Sequence, residues 1–167
     1  GRAIGLSGKD GRLLVAKRVE DKDIGLVGDI VNVNVDIIKD INKHGYIPVI
    51  APLADGIDGF AYNVNADTAA GRIAEALSAE KLILLTDVDG VLGKDGNLIS
   101  TLTKEEVDIL IEKKTISGGM IPKVTCCLDA LSAGVKETHI INGKILHAIL
   151  LEIFTDSGIG TKISGGR

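Results

Sequence analysis

Short apolar runs alternate along the chain with segments in which apolar residues recur every three or four positions. The runs are rich in Val and Ile, and residues 82–85 are wholly apolar, as in a strand buried on both faces of a sheet. Strands that alternate with helices are typical of parallel sheets with crossover helices. The pattern therefore predicts an α/β fold, with an open, mostly parallel sheet sandwiched by helices.

The same pattern places the individual elements. Further strands are predicted at residues 46–51, 138–141 and 161–163, and an extended segment at residues 24–33. No internal repeat or linker divides the chain, so a single domain over residues 1–167 is predicted. Helices are predicted at residues 35–45 between an Asn34 cap and a Gly45 stop, at residues 66–77, from Thr103 with Glu106 in a capping box, and at residues 120–133 and 146–154.

Three stretches rich in turn residues separate these elements. The Asp10-Gly11 step is a strong hairpin signal and predicts an antiparallel hairpin that joins residues 3–6 to residues 13–17. A second hairpin is predicted at residues 93–100, and residues 52–59 are predicted to form a loop.

The composition argues against nucleic acid and membranes as binding partners. The net charge is -4, and only 2% of the residues are aromatic, so the chain lacks the basic excess and the stacking side chains typical of nucleic-acid binding. The apolar runs are too short to span a bilayer. The adjacent pair Cys126 and Cys127 suits neither a disulfide framework nor a zinc site and is expected to be reduced. We expect a cytoplasmic protein that binds neither nucleic acid nor membrane.

The first candidate site follows the apolar strand at residues 82–85. In an open α/β sheet, ligands bind at the carboxyl ends of the strands, where Thr86-Asp87-Val88-Asp89-Gly90 lies. Asp87 and Asp89 could face a nucleotide or its metal ion, and Gly90 lets the backbone approach a phosphate. Asp and Gly are also favoured in ordinary strand-to-loop turns, so this motif alone leaves both interpretations open.

The second candidate site is Gly118-Gly119-Met120-Ile121-Pro122-Lys123, at the start of a predicted helix. Two glycines expose backbone N–H groups there and make an anion site, while Pro122 is tolerated in the first turn. Lys123 could stabilise the charge that develops on a transferring phosphoryl group. The alternative is a glycine-flanked helix start with a solvated lysine. The spacing differs from that of the Walker-type phosphate loop.

The third candidate site, Asn63-Val64-Asn65-Ala66-Asp67, precedes the alanine-rich helix. Asn and Asp are preferred N-caps, but a helix needs only one. Asn63 and Asn65 could donate to a substrate carboxylate while Asp67 orients Lys123 or another cation. The histidines are scattered and are expected to be structural: His44, His139 and His147.

Taken together and in this order, four motifs resemble the acetylglutamate kinases of the amino acid kinase family. They are Gly5-Leu6-Ser7-Gly8-Lys9-Asp10-Gly11, Asn63-Val64-Asn65-Ala66-Asp67, Leu84-Leu85-Thr86-Asp87-Val88-Asp89-Gly90-Val91 and Gly118-Gly119-Met120-Ile121-Pro122-Lys123. The resemblance implies a transferase that moves the γ-phosphoryl group of MgATP to the side-chain carboxylate of N-acetyl-L-glutamate, in arginine biosynthesis. It implies that Mg²⁺ is bound mainly through the nucleotide, with no separate metal site.

The resemblance also implies roles for individual residues. Asn63, with Asn65, would bind acetylglutamate; Asp67 would organise the catalytic lysines; and Lys123 would stabilise the transition state. The nucleotide would be held by Thr86, Asp87, Val88, Asp89, Gly90, Val91, Leu92, Ile116, Ser117, Gly118, Gly119 and Met120.

Residues 150–161 are similar to the arginine-sensitive members of the family. The resemblance implies an allosteric arginine site formed by Glu152, Gly158 and Gly160, with arginine as a feedback inhibitor, and a homo-oligomer for the full-length protein. An amphipathic last helix followed by a glycine turn is the alternative.

Family members carry an earlier lobe with a lysine beside a Gly-Gly motif, a second glycine-rich loop and an arginine, and this sequence lacks them. Gly1 is therefore interpreted as a cut point, and the chain as the ATP lobe of a longer kinase, inactive by itself. The alternatives are a non-catalytic ATP- or arginine-sensing module and a kinase for carbamate or another amino acid.

Overall fold

The computed structural model describes residues 1–20, 24–156 and 158–165. The contacts within the chain group into two compact units, residues 1–77 and residues 78–167. The α/β class is confirmed, because helices alternate with strands and several neighbouring strands are parallel. The described strands are distributed over three sheets. The single domain expected for residues 1–167 stays a prediction.

The first unit contains two sheets. The strands β1 and β4 form a parallel pair, and the other four form a sheet in the order β3-β2-β5-β6. The elements are β1 (Arg2–Ser7), β2 (Leu14–Arg18), β3 (Gly28–Val33), α1 (Asp36–Lys43), β4 (Tyr46–Ala51), β5 (Leu53–Gly56), β6 (Ala61–Asn63) and α2 (Ala66–Ala76). The core comprises Leu13, Leu14, Ala16, Val35, Ile38, Ala54, Tyr62, Val64 and Ala69.

The hairpin predicted between residues 3–6 and 13–17 is wrong. Residues 3–6 lie in β1 and residues 14–17 in β2, but β1 pairs in parallel with β4, whereas β2 pairs antiparallel with β3 and parallel with β5. The Asp10 carboxylate accepts the Ser7 N–H at 2.7 Å, and a 3-10 turn follows at Asp10–Arg12. The Asp-Gly step therefore turns the chain from one sheet into the other.

The loop predicted at residues 52–59 is also wrong in part, because β5 lies within it. β5 pairs antiparallel with β6, and this pair is a hairpin closed by residues 57–60. The turn is held by Asp58, which accepts the Tyr62 hydroxyl at 2.5 Å and the Phe60 N–H at 3.2 Å. The turn signals at residues 55–59 therefore mark the end of a strand.

The end predicted for α1 is confirmed, because Gly45 adopts a left-handed φ of 74° just after the helix. The predicted Asn34 cap is wrong: the N-cap is Val35, which makes no side-chain cap hydrogen bond, and Asn34 Oδ1 accepts the Asp36 N–H at 3.2 Å from the position before it.

The second unit contains one sheet in the order β7-β9-β10-β8. The strands predicted at residues 82–85, 138–141 and 161–163 are confirmed. The predicted second hairpin is a tight turn with one antiparallel bridge between Leu92 and Leu98. The elements are β7 (Lys81–Thr86), β8 (Thr101–Thr103), α3 (Lys104–Glu112), α4 (Met120–Ser132), β9 (Glu137–Asn142), α5 (Ala148–Phe154) and β10 (Thr161–Ser164).

α3 and α4 begin where the sequence predicts, and α5 begins at Ala148, two residues after the predicted start. Thr103 caps α3 in a capping box, with the Glu106 N–H donating to Thr103 Oγ1 at 3.3 Å and the Thr103 N–H donating to Glu106 Oε2 at 2.8 Å. α4 packs against β9 through its buried face. Across the described ranges, every helix of the protein is too short or too polar to cross a membrane.

Candidate functional site

The candidate site in the second unit lies where β7 and β9 end. These strands are parallel neighbours in register, with Thr86 opposite Asn142. Both have buried apolar residues, such as Leu84 and Ile140, that fix them in the sheet. The loops that follow the two strands therefore begin side by side, at the edge where α/β sheets bind ligands. One loop is the predicted acidic turn (residues 86–90), and we call residues 142–144 the second loop.

Polar contacts join the acidic turn to the second loop. Asn142 Nδ2 donates to Asp89 Oδ1 at 2.8 Å, and the Gly143 N–H donates to the Thr86 carbonyl at 2.8 Å. Lys144 Nζ lies 3.5 Å from the Asp87 carbonyl and 3.9 Å from Asp87 Oδ2. The Asp87 and Lys144 side chains are 76% and 71% exposed. A ligand in solution therefore has access to this charged pair.

Thr161 fixes the chain just after the acidic turn. Its Oγ1 accepts the Val91 N–H at 2.8 Å and donates to the Ile99 carbonyl at 2.7 Å, and its side chain is buried. A Cβ at Gly90 would lie 2.6 Å from Thr161 Oγ1, and Gly90 has φ 148°. The structure thus gives Gly90 a packing role. Its predicted closeness to a phosphate stays a prediction.

The N-terminus of α4 lies at the same edge of the sheet. α4 packs against β9 and leads into it through residues 133–136, so the helix runs back along the strand. Gly118 has φ 55°, Gly119 is the N-cap, and a Cβ at either position would meet no heavy atom within 4 Å. Open space at a helix N-terminus suits an anionic ligand. Lys123 lies in the following turn and is half-buried.

The predicted nucleotide residues thus gather at one edge of one unit. Residues 86–92 follow β7, whereas residues 116–120 lead into α4, and Ile116 is buried beneath the exposed Ser117. The predicted residues of the third site, residues 63–67, belong to the other unit. Their roles toward a substrate stay predictions.

The structure gives Asn65 the capping role that the sequence left open. Its Oδ1 accepts the Thr68 N–H at 3.0 Å, and it is the N-cap of α2. Asn63 is exposed at the end of β6, and its backbone N–H donates to the Leu26 carbonyl at 2.8 Å. Asp67 lies half-buried in the first turn of α2. The three polar side chains therefore cluster at the start of one helix.

The three predicted effector residues, Glu152, Gly158 and Gly160, line one cavity of about 550 Å³. Glu152 Oε2 accepts the N–H groups of Ile159 at 2.7 Å and Gly160 at 3.1 Å. A Cβ at Gly158 would lie 2.8 Å from Glu152 Oε2, and Gly158 has φ 61°, so glycine suits the position beside this carboxylate. The cavity is also lined by Lys81, Ser100, Thr101, Glu137, His139, Ile153, Thr155, Asp156 and Lys162.

His139 lies beside the buried carboxylate of Glu152 in this cavity. Its Nδ1 lies 2.6 Å from Glu152 Oε1, and the two side chains are only 8% and 5% exposed. Burial disfavours the charged form of Glu152, but the Ile159 N–H, the His139 ring and the Gly160 N–H together outweigh it, so the pKa of Glu152 is lowered. The structural role expected for His139 stays a prediction, and its ring lines this cavity, which the sequence did not indicate.

Glu137 is the second carboxylate of the cavity. Hydrogen bonds from Lys162, at 2.5 Å, and from Lys81 lower its pKa to about 2. His139 Nε2 lies 3.6 Å from its Oε2. Among the described residues, no group of three or more His, Cys, Asp and Glu side chains is arranged to hold a metal ion.

The fold and the sequence define the class of protein. A sequence model of the amino acid kinase family matches residues 1–142. The chain therefore belongs to the amino acid kinase family. Within that family it is similar to the acetylglutamate kinases of Geobacter sp. (strain M21), at 57% identity, and of Geobacter sulfurreducens, at 55% identity. Each match covers 98% of this chain and 60% of the relative. The chain thus spans about 60% of the length of these curated relatives.

Solved structures with the same fold agree with this placement. An N-acetylglutamate synthase from Neisseria gonorrhoeae, complexed with coenzyme A and L-arginine, has a TM-score of 0.82 at 28% identity over 98% of this chain and 38% of that one. A carbamate kinase from Giardia lamblia bound to AMP-PNP has a TM-score of 0.66 at 19% identity, over 94% of this chain and 53% of that one. The second likeness supports the fold alone.

Sequence reasoning missed the residues that hold the acidic turn in place. Asn142 reaches it from the end of β9 and Lys144 from the loop that follows, while Thr161 holds Val91, just after the turn, from β10. One signal was present, since Asn142-Gly143 directly follows the apolar strand at residues 138–141, just as the acidic turn follows β7. The Thr161 contacts carried no local signal, because the hydroxyl bonds to residues some sixty to seventy positions away.

Proposed function

We propose that this chain supplies the ATP lobe for phosphoryl transfer from MgATP to the side-chain carboxylate of N-acetyl-L-glutamate, a step of arginine biosynthesis. The observation that carries the proposal is the pairing of the acidic turn with the glycine-flanked start of α4 at one sheet edge, with Lys123 in the adjacent helical turn. The 57% identity to an acetylglutamate kinase supports the acceptor.

The proposed reaction forms one bond and breaks one. An oxygen of the acceptor carboxylate attacks the γ-phosphorus, the bond to the β–γ bridging oxygen breaks, and ADP and an acyl phosphate result. Negative charge spreads over the γ-phosphoryl oxygens, so positioned cations and N–H dipoles supply most of the catalysis. Mg²⁺ is carried mainly by the nucleotide phosphates. The N–H groups near Gly118 and Gly119 bind phosphate oxygens, and Lys123 stabilises the charge on the transferring group.

The other unit receives the acceptor in this proposal. Asn63 and Asn65 lie at the start of α2 and can donate side-chain N–H groups to a carboxylate or an acetyl carbonyl. Asp67 orients the catalytic lysines by charge. Because Asn65 Oδ1 already accepts the Thr68 N–H, only its amide nitrogen serves the substrate, which suits a negatively charged acceptor.

A chimera tests the proposed reaction. In it, this chain replaces the matching 60% of the Geobacter sp. (strain M21) enzyme and is joined to the rest of that enzyme. We expect the chimera to convert acetylglutamate and MgATP into an acyl phosphate that hydroxylamine traps, and to use glutamate and carbamate far less well. This chain alone should bind MgATP but form no acyl phosphate.

Each alternative function has its own outcome in this assay. A folded chimera that binds MgATP but transfers no phosphoryl group would favour a non-catalytic module and contradict the proposal. Faster reaction with carbamate or glutamate would reassign the acceptor. Acyl phosphate made by this chain alone would contradict the role of a partial ATP lobe.

We propose arginine as the effector for the cavity at Glu152. The cavity carries three carboxylates; Glu137 is already paired with Lys81 and Lys162, which leaves Glu152 and Asp156 as the carboxylates that suit a guanidinium or ammonium group. The likeness to a synthase complexed with L-arginine supports this ligand. Calorimetric titration should show that arginine binds this chain, that citrulline binds more weakly because it lacks the charge, and that Glu152→Gln weakens arginine binding. Equal binding of arginine and citrulline would contradict the assignment.

We further propose a cytoplasmic location and, for the full-length protein, a homo-oligomer. The location follows the composition and the adjacent cysteine pair, which is expected to be reduced, and the oligomer follows the family resemblance. Cell fractionation and light scattering of the chimera test them, and a monomeric, active chimera would contradict the second.

A further inference from the structure

Two carboxylates lie at the proposed nucleotide site. Asp87 and Asp89 flank Val88 in the acidic turn, and both are exposed. A nucleoside triphosphate is strongly anionic, and like charges placed together repel each other unless a cation or a hydrogen-bond donor compensates them. The turn therefore needs compensating groups if the nucleotide is to lie beside it.

The second loop supplies such a group to each carboxylate. Lys144 Nζ lies 3.9 Å from Asp87 Oδ2, and Asn142 Nδ2 donates to Asp89 Oδ1 at 2.8 Å. Asn142 also accepts the Lys144 N–H through Oδ1 at 2.9 Å. Both ends of the Asn142 amide are thus engaged: Oδ1 holds the second loop itself, and Nδ2 joins that loop to the acidic turn.

We infer that the second loop is a further part of the nucleotide site, an inference that rests on the proposed function. Lys144 binds the anionic part of the nucleoside triphosphate and compensates Asp87, and Asn142 is a positioning residue that orients Asp89. The exposure of Lys144 agrees with a role toward a ligand, because an exposed ion pair contributes little to stability.

Two variants of the second loop, Lys144→Met and Asn142→Ala, should affect the binding of MgATP and adenosine differently. Lys144→Met should leave the thermal unfolding midpoint unchanged and weaken MgATP binding about three- to tenfold. It should leave the binding of adenosine, which carries no phosphate, unchanged. Asn142→Ala should weaken both ligands, because the acidic turn loses the donor that orients it. Lys144→Arg keeps the charge and should restore MgATP affinity.

The experiment is calorimetric titration of this chain with MgATP, with chemical-shift titration for adenosine. Lys136→Met is the matched control, because Lys136 is also exposed and pairs with Glu80 on the surface. It should bind both ligands as the wild type does. Raised salt should reduce the difference between Lys144→Met and the wild type, because salt screens exposed charges.

The results show separately whether the role of the second loop and the proposed function hold. If the wild type binds MgATP and Lys144→Met binds it equally well, the inference is overturned and the proposed function stands. The same holds if Lys136→Met weakens binding as much, since general charge would then explain the effect. A wild type that binds neither MgATP nor adenosine overturns the proposed function, and this inference with it.

Discussion

Single hydroxyl and carboxylate groups hold distant segments of the second unit together. The Thr161 hydroxyl joins Val91 to Ile99, and the Glu137 carboxylate joins Lys81 to Lys162. Buried polar groups lose their hydration and therefore need such partners. Substitutions at these positions should change stability by amounts that depend on burial.

Gly90→Ala should destabilise the protein by about 3 kcal/mol, because the new Cβ would lie 2.6 Å from Thr161 Oγ1 and a φ of 148° is strained for alanine. Urea denaturation measures this free energy of unfolding. Gly5→Ala is the control, because its Cβ would meet no heavy atom within 4 Å. Equal effects of the two substitutions would contradict the packing role of Gly90.

Glu137→Gln should lower the free energy of unfolding at pH 7 by about 1 kcal/mol, a modest figure because water screens the partly exposed lysines. The pKa of Glu137 is lowered to about 2 from 4.5, so its contribution is complete above pH 4.5 and is lost as pH falls toward 2. Urea denaturation at several pH values should therefore show a shallower acid dependence in the variant between pH 4.5 and 2.

The matched control for that series is Glu80→Gln. Glu80 also pairs with a lysine, Lys136, but its side chain is 77% exposed, so the substitution should cost little at any pH. A Glu137→Gln protein whose acid dependence matched the wild type would show that the lysine contacts do not hold in solution.

Local signals set the ends of the helices. The capping box at Thr103 and Glu106 and the glycine stop after α1 involve residues within a few positions of each other. Such contacts form as each helix forms, and they do not depend on how the sheets are arranged.

Thr103→Ala should cost about 1 kcal/mol, because the Glu106 N–H loses its acceptor at the start of α3. Thermal denaturation followed by circular dichroism measures it. Thr125→Ala, at an exposed position inside α4, is the control and should be neutral or slightly stabilising, because alanine favours helix. A Thr103→Ala protein as stable as the wild type would contradict the capping role.

Local signals also explain how much of the structure the sequence predicts. The α3 start, the α4 start at Met120 and the apolar strands were predictable because each pattern lies within one segment. The hairpin at Asp10-Gly11 was not, because β1 pairs with β4, some forty residues away. At the candidate site, the sequence predicted the acidic turn. It did not predict the contacts from the second loop, because these depend on the pairing of β7 with β9.

At the scale of the whole molecule, the chain spans about 60% of its curated relatives. The proposed nucleotide residues lie in the unit of residues 78–167, and the proposed acceptor residues lie in the unit of residues 1–77. The rest of the relatives' length lies outside this chain, and the chimera supplies it. The chimera is therefore the form in which turnover and its dependence on single residues are measurable.

The proposed role of Lys123 is tested by the steady-state rate of acyl phosphate formation by the chimera carrying Lys123→Ala. We expect kcat to fall by about two or more orders of magnitude, with a smaller change in the KM for MgATP, because Lys123 acts mainly in the transition state. Lys136→Ala, at an exposed surface position, should keep the full rate. An unchanged kcat in a folded Lys123→Ala chimera would contradict the account.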